Sequence, residues 1–163
     1  MSVSDNQVAE QRRETIDIPA IKKEAEDLYR EGKYYCSEAI IATIRKHFDP
    51  NMPEQAIAMG SGFPIGIGGA MCNCGAVSGG VVLLGYFFGR TLPGDEKVKK
   101  AMELAKELHD YFESQHKTLC CRILTKGMEL GSPVHMKQCI AFTGEIAAKT
   151  AEIIARELQL ETK

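Results

Sequence analysis

The chain carries 163 residues, with 20 Lys and Arg against 22 Asp and Glu and a formal net charge of −2. A chain of this length builds one domain that buries about two thirds of its unfolded surface, so its cysteines are not needed as disulfide staples. The charges are spread over amphipathic faces rather than gathered into a stripe, which argues against a nucleic-acid partner.

Residues 1–15 show no periodic apolar positions and are expected to form a flexible tail ahead of a single helical domain over 16–163. The stretch from Met1 to Ile16 holds no apolar run, and Arg12-Arg13 lacks the one that an export signal places after it, so a cytoplasmic protein is expected. Ile18, Ile21, Ala25 and Leu28 then recur every three or four residues. Asp17 is the expected N-cap of that helix, Pro19 sits in its first turn and Gly32 stops it. Cys36, Ile40 and Ile44 form one stripe of a second helix that ends near His47, before Asp49-Pro50. Pro53 can open a short helix through Met59.

Gly60 to Gly69 reads as a glycine-rich loop able to approach another group closely. It leads through Cys72 and Cys74 into the apolar stretch from Gly75 to Gly89, whose length falls short of the ~20 residues of a membrane span. This stretch is expected to be a buried core helix. Gly75 and Gly79, then Gly85 and Gly89, stand four apart and would admit a close neighbour. Pro93-Gly94 breaks the helix and Asp95 caps the next, whose stripe is Val98, Met102, Ala105, Leu108 and Phe112, ending near His116. A short helix begins near Leu119. After Gly131-Ser132-Pro133 a last helix carries Cys139, Phe142, Ile146 and Ile153 on nearby faces. No sustained period-two run occurs. The expected fold is all-α, a single-domain bundle of about six helices with a buried glycine-rich central helix.

The six cysteines pose the functional question, because cysteine without a secretory context points to metal or redox chemistry. Cys36 and Cys139 lie on apolar stripes, where cysteine can serve as a small hydrophobe. Cys74 directly precedes a helix, whose free N–H groups and dipole would favour a thiolate and lower its pKa. Cys120 and Cys121 differ in direction by about 100° on a helix, so one is expected to face a site while the other packs elsewhere. Thiolates from distant segments suit an iron-sulfur cluster or structural zinc, although no Cys-x-x-Cys knuckle is present.

Other chemistries lack their motifs. There is no Cys-x-x-Cys-His for covalent haem, no P-loop and no His-Glu-x-x-His, and Gly66-Ile67-Gly68-Gly69-Ala70-Met71 fails the dinucleotide fingerprint. His47, His109, His116 and His135 lie near helix ends or on polar faces, where capping or solvent-facing roles are expected. No catalytic motif is complete, so an electron carrier or redox protein is expected rather than a hydrolase or transferase.

Taken together, Cys36-Ser37-Glu38-Ala39, the glycine-rich stretch, Cys74-Gly75-Ala76-Val77-Ser78-Gly79 entering an apolar helix, Cys121-Arg122-Ile123-Leu124, and Cys139 in the last helix form a known pattern. It resembles the bacterial and archaeal C_GCAxxG_C_C family of redox-active proteins, related to the cysteine-bearing domain of split-Soret cytochrome c. The resemblance runs from about Leu28 to Ala155. It implies an α-helical domain in which Cys36, Cys74, Cys121 and Cys139 hold an iron-sulfur cluster, while Cys72 and Cys120 are additions to the pattern that could alter the ligand set. The related cytochrome implies a homodimer, and the redox partner is left unspecified. The expected role is electron transfer. One alternative is metal-free thiol-disulfide exchange, with Cys74 attacking and Cys72 or one of Cys120-Cys121 resolving. Another is a structural zinc or helical interaction module.

Overall fold

Asp17 opens the first helix as the sequence predicts. In the computed structural model, which describes residues 15–163, its carboxylate accepts the Ala20 N–H at 2.9 Å. The expected tail lies almost wholly outside the described residues. Among the described residues the helices are α1 (Ile18–Arg30), α2 (Cys36–Phe48), α3 (Gln55–Ala58), α4 (Gly75–Phe88), α5 (Lys97–His116), α6 (Cys121–Leu124) and α7 (Pro133–Glu157). Five are long and two are single turns, so the all-α bundle is as expected. The one extended pairing among the described residues is an isolated parallel bridge between Ile16 and Thr162, which ties the entry of α1 to the chain's last residues.

Gly32 adopts φ +68°, a left-handed turn that ends the first helix two residues after Arg30. The stop of α4 comes earlier than Pro93-Gly94 suggests. Gly89 bonds back to the Gly85 carbonyl at 2.8 Å and turns the chain away at once.

Two stripes are rotated from their expected faces. α1 buries Ile21, Ala25 and Tyr29, so Tyr29 takes the inward place assigned to Leu28. α5 buries Leu104, Leu108 and Phe112, whereas Met102 is 66% exposed. Both observed stripes run at four-residue steps, and Met102 lies about 200° around the helix from Leu104.

α4 sits at the centre of the bundle, packed against α2, α5 and α7. A Cβ on Gly79 would stand 2.8 Å from the Ser37 Cα, so that glycine lets α2 approach to backbone contact. Gly80 does the same on the other side, where a Cβ would meet Leu108 of α5 and Thr150 of α7, each at 2.6 Å. Adjacent residues point about 100° apart, so this pair lets α4 be gripped from two directions. Gly85, by contrast, faces open space, and Gly89 approaches only its own helix; the close contact expected of that pair falls to Gly80. No helix among the described residues is long and apolar enough to cross a membrane.

Candidate metal centre

The loop between α3 and α4 carries an unusual backbone. Ile65, Gly66, Ile67, Gly68 and Gly69 all have φ between +53° and +86°, and Met71 and Asn73 follow at +59° and +64°. Glycine adopts this region freely, but a β-branched isoleucine there is strained by on the order of 1–3 kcal/mol. Gly66 has no alternative, since a Cβ would lie 2.5 Å from the Cys72 nitrogen. The loop closes on itself through Met71 N–H to Ile65 O at 3.0 Å and Cys72 N–H to Gly66 O at 3.3 Å. It then pairs with the approach to α6: Cys74 N–H donates to Leu119 O at 2.7 Å, and Arg122 N–H donates to Met71 O at 3.1 Å. Those two bonds set Cys74 beside Cys121.

Cys36, Cys74, Cys121 and Cys139 line one small cavity of about 30 Å³. Cys36 is the first residue of α2, Cys74 caps α4, Cys121 opens α6 and Cys139 lies in the second turn of α7. Cys72 is exposed, and the Cys120 sulfur stands 4.0 Å from the Met71 carbonyl; neither lines the cavity. The adjacent pair is therefore split, though not by the helical turn expected, since Cys120 is the extended N-cap residue ahead of α6. Cys36 and Cys139, readable as plain core residues, both face the cavity instead.

Burial dominates the electrostatics. It raises all four thiols, pushing Cys74 up to about 11 and Cys139 up to about 12, and the neighbouring sulfurs add to the effect. The N–H groups of Val77 and Ala76 do address the Cys74 sulfur and pull its pKa down, but burial outweighs them. The activated thiolate expected at this helix N-terminus is thus absent, because the same helix end is sealed inside the bundle. Two buried and two half-buried thiols, all disfavoured from ionising, form a poor nucleophile and a good donor set, since a bound cation deprotonates its thiols outright. Among the described residues no three of these sulfurs lie mutually within 4.8 Å. Tetrahedral zinc, at about 2.3 Å from each sulfur, would need them about 3.8 Å apart.

Two further residues complete the polar wall, Tyr29 and His135. His135 is 5% exposed, its Nδ1 accepts the Gly131 N–H at 3.0 Å, and its Nε2 lies 3.5 Å from the Cys139 sulfur. An acceptor role at Nδ1 leaves the neutral ring's proton on Nε2, facing that sulfur. Its backbone N–H donates to Ser132 Oγ, the N-cap of α7, so Ser132 does the capping and the buried His135 ring departs from the capping or solvent-facing role expected of it. The four-residue spacing of His135 and Cys139 on one helix was the available signal. For Tyr29, the signal was the four-residue step from Ile21 and Ala25.

The loop contributes Ile65 and Gly66 to the same wall, and neither donates a backbone hydrogen bond among the described residues. The site thus combines four soft sulfur donors with backbone N–H groups directed at two of them, Cys36 and Cys74. A sequence model of the family described as "Putative redox-active protein (C_GCAxxG_C_C)" matches residues 34–153, a span that holds all six cysteines. The chain belongs to this family. No curated protein sequence and no solved structure matches it. The C_GCAxxG_C_C match covers every cysteine and His135, whereas Tyr29 reaches the cavity from α1, outside the matched span.

Proposed function

We propose that this redox-family protein holds an iron-sulfur cluster on Cys36, Cys74, Cys121 and Cys139 and passes single electrons. The observation that carries the reading is the convergence of four cysteines from four separate elements on one buried cavity, with Cys72 and Cys120 left outside it. Soft thiolates suit both iron-sulfur clusters and zinc. The wide spacing of the sulfurs favours a polynuclear group over a single ion.

When bound, such a cluster supplies one-electron redox chemistry. The chain's own residues set its surroundings. Ser37 N–H addresses the Cys36 sulfur and the Ala76 and Val77 N–H groups address that of Cys74, and hydrogen bonds to ligand sulfur raise a potential. Phe142 and Ala76 close the apolar side of the wall and keep water away. The raised pKa and burial of Cys74 weigh against metal-free disulfide exchange as the main activity. A reducing compartment such as the cytoplasm suits this reading, since it keeps the thiols available for assembly.

Anaerobic purification should yield a brown protein with bound iron and acid-labile sulfide. One zinc per chain without sulfide would establish the structural-zinc alternative. A colourless sample that also resists reconstitution would overturn the proposal.

A further inference from the structure

A cleft of about 680 Å³ opens to solvent beside the cysteine cavity, within the size range of small-molecule sites. Tyr29, Ile65 and His135 line both spaces, so one layer of side chains separates the cleft from the thiols. The rest of its wall is largely aromatic and apolar, with Tyr34, Tyr35, Leu130 and Met136 around the opening. Tyr35 and Leu130 are 53% and 47% exposed, an unusual outlay of large apolar surface.

Charge and hydrogen bonding narrow the occupant. The wall's cation, Lys33, is paired with Glu31 at 2.6 Å. Its carboxylate, Glu38, accepts the Tyr35 N–H at 3.0 Å and the Ser61 hydroxyl at 2.6 Å. Glu38 has no cation partner among the described residues and Lys33 is already paired, so the wall repels an anion and offers no free cation to a phosphate. Tyr29 is only 7% exposed, and its hydroxyl has no hydrogen-bond partner among the described residues. The hydroxyl is not fully buried, so it meets the solvent of the cleft and stands free to donate to a molecule bound there. Both His135 nitrogens are occupied, which leaves that ring to offer a face.

We infer that the cleft binds an uncharged planar aromatic molecule of the quinone class, with a ring carbonyl accepting the Tyr29 hydroxyl and the ring lying against the tyrosines. The inference deepens the proposed function by giving the redox centre a small-molecule partner, and it rests on that reading for the partner's role though not for the binding.

Duroquinone is the suitable probe, because its fully substituted ring cannot add to thiols. Equilibrium dialysis against the full chain, purified anaerobically, should show one saturable duroquinone per chain and no comparable binding of FMN, whose phosphate has no cation to meet. Tyr29→Phe keeps the ring and removes the hydroxyl, and should weaken binding about fivefold. Leu130→Arg, at an exposed position, should also weaken it by crowding the mouth with a charge. The inference is overturned by absent or unsaturable binding, by FMN binding as tightly, or by both variants binding like the parent chain. Iron and sulfide are assayed on the same samples. Quinone binding without a cluster would leave the cleft standing and remove the iron-sulfur reading, whereas a loaded cluster without quinone binding would do the reverse.

Discussion

Replacing Cys36, Cys74, Cys121 or Cys139 singly by Ser should abolish stable cluster incorporation, measured as iron and sulfide per chain after anaerobic purification. Three thiolates leave one iron open to oxygen. The same change at exposed Cys72, or at Cys120 beside the Met71 carbonyl, should leave a cluster in place. Loss at Cys72→Ser together with retention at Cys74→Ser would shift the ligand set by one turn of the loop. His135 should act on the same site through its Nε2 proton. His135→Leu removes the donor facing the Cys139 sulfur and should lower the midpoint potential, read by redox titration, while nitrogen-15 spectra of the parent chain should show the proton on Nε2. An unchanged potential, or a proton on Nδ1, would reduce His135 to a packing residue.

At the level of elements, the glycines of α4 separate by what each one meets. Gly79→Ala drives a methyl into the Ser37 backbone and Gly80→Ala drives one into Leu108 and Thr150, so each should destabilise the fold by about 1–3 kcal/mol. Gly85→Ala enters open space and should stabilise α4 by about 0.5–1 kcal/mol through helix propensity. Thermal unfolding of the three variants gives the order, and a destabilised Gly85→Ala would contradict this packing. The loop offers a test of opposite sign. Ile67 is 54% exposed, lies outside the cavity and sits at φ +53°, so Ile67→Gly should raise stability by about 1 kcal/mol despite the entropy that glycine adds to the unfolded chain.

Across the whole molecule, carboxylates tie helices together and set the acid limit of the fold. Burial alone would raise Glu24 of α1, but hydrogen bonds from Lys46 and His47 of α2 outweigh it and hold that carboxyl below its ordinary value. Arg156 of α7 grips both oxygens of Glu107 of α5 at 2.8 Å and lowers that carboxyl too. A carboxyl lowered in the folded state stabilises above its unfolded pKa, and this contribution is lost as pH falls through the folded pKa. Stability from denaturant titrations should therefore decline below about pH 4.5, and Glu107→Gln should make the decline shallower. Both pairs are partly solvated, so the change per pair is modest. An identical pH profile for Glu107→Gln would remove that pair from the account.

Local chemistry settled the helices, because caps, breakers and apolar periodicity act within a few residues: Asp17 caps α1, Gly32 turns away after it, and the apolar run from Gly75 becomes the central helix. The cysteine pattern likewise contained the four sulfurs that meet. Which face each helix turns inward was decided only by its neighbours. Tyr29 displaced Leu28, Leu104 displaced Met102, and Gly80 took the contact assigned to Gly85 and Gly89. The left-handed course of Ile65 and Ile67 is a tertiary choice as well, imposed where Gly66 packs on the Cys72 backbone. So is the chemistry of Cys74, since its helix N-terminus could be read from the chain but its desolvation exists only after four helices close around it. Periodicity is carried along the chain, whereas burial is a property of everything that surrounds a group, and at Cys74 burial prevails over the helix end.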